Sequence, residues 1–218
     1  QPAVCLASRS MLNTGRYVWN AARFDNHEAH DSLARLGQFW SQLMKSAGYD
    51  TYMTGKWHLR IKAEEVFDTV VHERPGMPQD AFLKDYSSLI KKLRKEYKES
   101  GDISELMPPG YNRPQSESDK SWFPWDTIHG GYWEGGKHWS EVVGDDALGF
   151  IKEAKESEKP FFMYLAFNAP HDPRQSPKEY VDMYPLENIS VPANFLPEYP
   201  YKDAIGLDTR RRDERLAP

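Results

Sequence analysis

The chain has 218 residues, 39% hydrophobic and 13% aromatic, with a formal net charge of -5 at pH 7. That length and apolar content suffice for one α/β core, and no apolar run approaches the length of a membrane span. The acidic balance argues against a broad nucleic-acid or anionic-membrane footprint, yet leaves room for a small basic pocket and an anionic small substrate.

The chain opens on Gln1-Pro2 with no initiator methionine or signal segment and closes on "RRRDERLAP", so a fragment is expected. Its one cysteine, Cys5, forms no internal disulfide and leaves the redox compartment open. In "CLASRSMLNTGR", Ser8 to Leu12 reads as helix and Gly15 as its stop, which sets Cys5 near a helix N-terminus. There the dipole and unpaired N–H groups favour developing negative charge. From Asp31 or Ser32, the apolar residues Leu33, Leu36, Phe39, Trp40 and Leu43 recur at helical spacing, with Gly48 placed as a left-handed C-cap. "YDTYMT" then reads as a strand, so Lys56 and His58 of "GKWH" are expected just past its carboxyl end.

A second helix is expected over 80–99, with Phe82, Tyr86, Leu89, Ile90, Leu93 and Tyr97 on one face and a solvated Lys/Glu face opposite. The stretch 108–139 is rich in Gly and Pro but holds Trp122, Trp125, Trp133 and Trp139, and reads as a long structured loop. A third helix is expected from about Ser140 to Ser157, with Asp145 and Asp146 on its outer surface. "KPFFMYLAF" reads as a buried strand running into "NAPHDP". Beyond Pro173 the chain reads as extended and proline-punctuated. Helix alternating with strand predicts a mostly parallel sheet flanked by helices, with ligands bound outside the carboxyl ends of the strands. Those ends would deliver Lys56, His58 and His171 to one edge of the sheet.

Cys5 and Arg9 stand four residues apart and share a helix face. A cysteine phosphatase needs its arginine six positions after the cysteine, where this chain has Met11, and that class is disfavoured. Taken singly, Cys5, Lys56, His58 and His171 could each be ordinary packing or surface groups. Their joint pattern separates them from His27, His30, His72, His129 and His138, which read as structural.

"CLASR" followed by "NTGR" resembles the first signature of the formylglycine-dependent sulfatases of the alkaline-phosphatase-like superfamily. "GYDTYMTGKWH" resembles their second signature, and "APHDP" a third active-site segment. The resemblance implies an α/β sulfatase core, incomplete at both ends, with 1–218 a partial catalytic domain and 60–139 a helix-plus-loop insertion. It also implies that Cys5 is oxidised to formylglycine, whose hydrate attacks sulfur through one hydroxyl and expels sulfate through the other. By the same resemblance Cys5, as formylglycine, ligates a divalent cation, calcium or another. Arg9 would orient the hydrated aldehyde, Lys56 would bridge it to sulfate, His58 would assist its deprotonation, and His171 would meet the sulfate and leaving oxygen. Alanine at Ala7, where many members have proline, points to the anaerobic radical type of maturase as a partner.

The family's paired metal aspartates and its later aspartate–asparagine segment have no visible counterpart, so the other metal ligands are expected outside this chain. The implied activity is sulfuric ester hydrolysis, met outside the cytoplasm in a periplasmic or extracellular setting. Trp125 and Trp133, with Trp122, Tyr132 and Trp139, would offer aromatic faces to a sulfated carbohydrate, or else fill the underside of the loop. Two other readings stay open: a phosphonate monoesterase or phosphodiesterase of the same superfamily, and a non-catalytic module.

Overall fold

The strand β1, Asp50–Lys56, is buried along nearly its whole length because it is paired on both sides. It runs parallel to β2, Thr69–Arg74, and to β5, Phe161–Ala166, giving the sheet order β2-β1-β5. The computed structural model describes residues 5–17, 27–76, 78, 123–171 and 173–196, with a few further positions between 92 and 120. The chain divides into two units, Gln1–Gln79 with Gly131–Arg174, and Asp80–Gly130 with Gln175–Pro218.

Alternation along β1 builds a core on each face of the sheet. Met53 joins Leu33, Phe39, Trp57, Ile61, Ala63, Val66 and Phe67 on one face. Tyr52, on the opposite face, joins Phe150 and Ala154. The first face is covered by α2, His27–Arg35, and α3, Trp40–Ser46; the second by α4, Trp139–Glu156. A short antiparallel hairpin of β3, Trp133–Glu134, and β4, Lys137–His138, precedes α4.

The single helix expected from about residue 31 to Gly48 is two helices. The apolar period runs on through the break, but Gly37 adopts φ 65 and the Gln38 N–H turns back to the Leu33 carbonyl at 2.9 Å. The backbone N–H of Phe39 then donates to the side chain of Gln42 at 3.2 Å, which restarts the helix. Gly48 does stop the second helix, at φ 89.

The strand expected to be most buried is open on one side. Phe161 and Leu165 of β5, and Phe167 just beyond it, are exposed, and β5 is an edge strand among the described residues. A run of apolar residues encodes the strand but not what covers it. Residues 69–74, within the span 60–139 expected as an insertion, form β2 of the core sheet. The second unit takes Asp80–Gly130 from that span.

In the second unit, Asp126 caps a 3-10 turn, Thr127–His129, by accepting from the Ile128 N–H at 3.2 Å. The Ser176 N–H meets the Pro124 carbonyl at 3.1 Å and leads into α5, Lys178–Asp182. The helix expected over 80–99 lies largely outside the described residues. Near its end, Lys92–Glu96 and Lys95–Glu99 form exposed i,i+4 pairs. No helix among the described residues is long and apolar enough to cross a membrane.

Gly55 decides how closely the sheet can assemble. At φ 89 it occupies a conformation that L side chains avoid, and a Cβ there would meet the Ala166 carbonyl oxygen at 2.2 Å. The obstacle is backbone and cannot swing aside. Substitution Gly55→Ala should therefore destabilise the fold by roughly 2–4 kcal/mol, read as a lowered urea midpoint.

Candidate active site

Cys5 begins the helix α1, Cys5–Thr14, and is half-buried outside any disulfide. Helix α1 closes itself with local bonds: the Asn13 amide donates to the Arg9 carbonyl at 3.0 Å, and the Thr14 hydroxyl to the Ser10 carbonyl at 2.6 Å. Gly15, at φ 67, ends it by donating its N–H to the Met11 carbonyl. The expected cysteine at a helix N-terminus is what the structure holds.

One turn further on, Arg9 ties this helix to the sheet. Its Nη1 donates to the backbone carbonyl of Lys56 at 2.5 Å and to the Tyr164 hydroxyl at 3.0 Å. These charge-assisted bonds are the stronger kind. They bring the Cys5 helix onto the carboxyl end of β1 and across to β5. Tyr164 carried no sequence signal beyond a polar tip in an apolar strand.

Lys56 is the last residue of β1 and is buried, with 3% of its surface exposed. Burial first, and then the charge of Arg9, loosens its hold on the ammonium proton; negative charge at Cys5 acts the other way. His58, two residues on, has φ 55, a conformation rare for non-glycine residues. Burial also pushes its pKa below the ordinary value, and Lys56, Arg9, Arg60 and His171 add to the shift in that order. A neutral imidazole, able to accept a proton, is thereby favoured. Among the described residues its buried Nδ1 has no hydrogen-bond partner.

His58 lies against Gly76 so closely that a Cβ at Gly76 would meet its ring atoms at 2.4–2.7 Å. Next to Gly76, the Pro75 carbonyl accepts from the Asn168 amide at 3.0 Å, and the Asn168 carbonyl accepts from the His171 N–H at 3.1 Å. The Tyr132 hydroxyl, fully buried, donates to the His171 carbonyl at 3.1 Å. Cys5, Arg9, Lys56, His58 and His171 thus share one neighbourhood of the first unit. Gly76, Tyr132 and Asn168, which brace it, were not legible as site residues.

The aromatic residues divide between the two units. Trp133, half-buried on the β3–β4 hairpin of the first unit, stands edge-on to His138 with ring centroids 5.3 Å apart. Trp125 belongs to the second unit, stacks on Phe123 at 5.0 Å and has the Lys178 ammonium 5.1 Å from its ring centre. Trp122 lies outside the described residues. Asp145 is on the helix surface, ion-paired to Lys137 at 2.7 Å. Asp146 is not: it turns inward, accepts from the Thr54 hydroxyl at 2.6 Å and meets His72 Nδ1 at 2.9 Å.

The sulfatase family model matches residues 2–199, with the Cys5, Lys56–His58 and His171 segments all inside the match. The chain belongs to the sulfatase family. It is 28% identical over 178 residues to an uncharacterized sulfatase, YdeN, of Escherichia coli, covering 78% of this chain and 28% of that protein. It is 25% identical over 199 residues to an ulvan-active sulfatase of Formosa agariphila, covering 90% of this chain and 32% of the relative. An arylsulfatase of Hemicentrotus pulcherrimus is 29% identical over 185 residues, with 78% and 29% covered. This sulfatase chain therefore spans about three tenths of the length of these relatives.

The divalent cation that sulfatases use finds no matching donor set here. Among the described residues no group of three His, Cys, Asp or Glu side chains could hold a metal ion. Among the described residues the groups around Cys5 are cations and imidazoles, which suit an anion.

Two outcomes follow from this geometry. Because His58 binds its proton less tightly folded than unfolded, it contributes stability that is present above the unfolded value of 6.5 and is lost as pH falls through the lower folded value. Denaturant unfolding of the wild type should show stability rising with pH in that window, with a shallower slope in His58→Gln. Gly76→Ala should act differently from Gly55→Ala, since the atoms nearest its Cβ belong to the side-chain ring of His58 rather than to backbone. It should lower turnover about tenfold or more by displacing the imidazole, while moving the urea midpoint little.

Proposed function

We propose that this chain carries the nucleophile and anion-binding half of a sulfuric ester hydrolase that acts on sulfated carbohydrates through a formylglycine derived from Cys5. The observation that carries the reading is the tie between the two signatures: Arg9 of the Cys5 helix bonded to Lys56 at the end of β1. A formylglycine hydrate at position 5 fits there, since its oxygens would face buried Lys56 and the charge of Arg9. When present it supplies both the attacking oxygen and the hydroxyl that later expels sulfate.

The chain's own residues do the rest. Lys56 and Arg9 hold positive charge where oxyanion charge develops on the sulfate, and they do so in a site partly withdrawn from water. His58, kept neutral by burial and by its cationic neighbours, accepts the proton that the hydrate must lose. His171, held through its main chain by Tyr132 and Asn168, would stabilise the leaving oxygen. The ulvan-active relative and the half-buried Trp133 of the first unit support a polysaccharide sulfate as substrate. Such substrates are met outside the cytoplasm, and we place the protein there.

The test uses the full-length protein co-expressed with a maturase. Peptide mass spectrometry should find the aldehyde at position 5, and Cys5→Ala should abolish hydrolysis. Lys56→Met should cost about a hundredfold in kcat or more, the usual loss on removing an oxyanion partner. Trp133→Ala should impair turnover of sulfated oligosaccharides more than that of a small aryl sulfate. Full activity with unmodified Cys5 would sink the mechanism, and equal losses on both substrates would sink the carbohydrate reading.

A further inference from the structure

His30 is fully buried, yet sequence periodicity gives it no role and the chemistry above does not use it. It sits on α2, with its ring edge-on to Phe39 at 6.3 Å, and uses both ring nitrogens. Nδ1 accepts from the backbone N–H of Arg60 at 3.1 Å. That acceptance fixes the tautomer of the neutral ring: the proton resides on Nε2. Nε2 in turn faces the Ser10 hydroxyl at 3.2 Å, and that hydroxyl donates to the Leu6 carbonyl at 2.8 Å.

The ends of this chain of bonds matter more than its middle. Arg60 lies two residues beyond His58, on the same loop. Ser10, itself buried, is next to Arg9, and Leu6 is next to Cys5. We infer that His30 is a positioning residue that fixes the Cys5–Arg9 helix against the loop carrying His58, through Arg60 N–H, the imidazole, Ser10 and the Leu6 carbonyl. This rests on the reading of Cys5, Arg9 and His58 as the reacting group and its partners.

An apolar side chain could fill the same volume beside Phe39. It could not accept from a main-chain N–H on one side and donate to a hydroxyl on the other. Arg9 fixes α1 to β1 at Lys56, and His30 adds a second, separate tether to the stretch after β1 ends. Two tethers define an orientation where one defines only a contact.

Three variants of the matured full-length enzyme separate the two halves of this link. His30→Asn keeps an acceptor near the position of Nδ1, His30→Gln keeps a donor near that of Nε2, and His30→Leu keeps neither. His30→Leu should lower kcat about a hundredfold with KM changed less than about threefold, and the other two should fall between it and the wild type. A kcat within about threefold of wild type in His30→Leu would overturn the inference.

A second readout needs no sulfatase activity. In protein made without a maturase, alkylation of the Cys5 thiol by iodoacetamide is followed by mass spectrometry of the Cys5 peptide. His30→Leu should speed it at least about fivefold by loosening α1 locally, whereas Phe150→Leu, a core change on the other face of the sheet, should leave it within about twofold. Equal rates in the two variants would overturn the inference. If the wild type hydrolyses no sulfate ester, the proposed function fails, and the alkylation comparison still decides the role of His30.

Discussion

The indole of Trp57 is the constraint on which the site depends. It is fully buried, donates Nε1–H to the Ile61 carbonyl at 2.7 Å, and packs edge-on against Phe67 at 5.8 Å. Its neighbours on either side, Lys56 and His58, must then point elsewhere. The left-handed backbone at His58 costs about 1–2 kcal/mol, while burial of so large an apolar group stabilises by roughly 3 kcal/mol. Core packing wins, and the strained residue keeps its place in the candidate site. The two-residue spacing of Lys56 and His58 in "KWH" is therefore a mechanical device set by the indole between them.

Around that device several cations and imidazoles are gathered. Lys56, Arg9, Arg60 and His171 all weaken the proton affinity of His58, and the charges of Arg9 and Lys56 repel one another. Arg9 is held by neutral groups, the Lys56 carbonyl and the Tyr164 hydroxyl, and the His171 loop is braced by a main-chain bond to Tyr132. A sulfate group would relieve the repulsion. It is a weak base, so it answers cations and hydrogen-bond donors without drawing protons from them.

The five motif residues were legible because each lies in a short segment whose local form is set nearby: a helix start, a strand end, a strand-to-loop exit. The parallel sheet was legible for the same reason. What stayed hidden depended on distant partners. Tyr164 reaches Arg9 across 155 positions of sequence, and Gly76 matters only because the ring of His58 lies on it. Asp146 falls on the polar side by helical periodicity, and only Thr54 and His72, on other elements, explain why it turns inward. The break at Gly37 was masked by apolar spacing that continues across it. The openness of β5 was masked by a run of residues that would suit a covered strand equally well.

The pairing of β1 with β2 is irregular at one point: Thr54 faces Val71, the next residue Gly55 faces Glu73, and His72 is left over between them at φ 47. Parallel strands have no hairpin turn to set their phase, and a slip of one residue would turn Lys56 to the opposite face of the sheet. The surplus residue works as the tooth of a ratchet. Bonded to Asp146 on α4, which also grips Thr54, it blocks sliding of one strand along the other. The phase of the lysine is thus locked by a histidine and an aspartate that are not members of the candidate site.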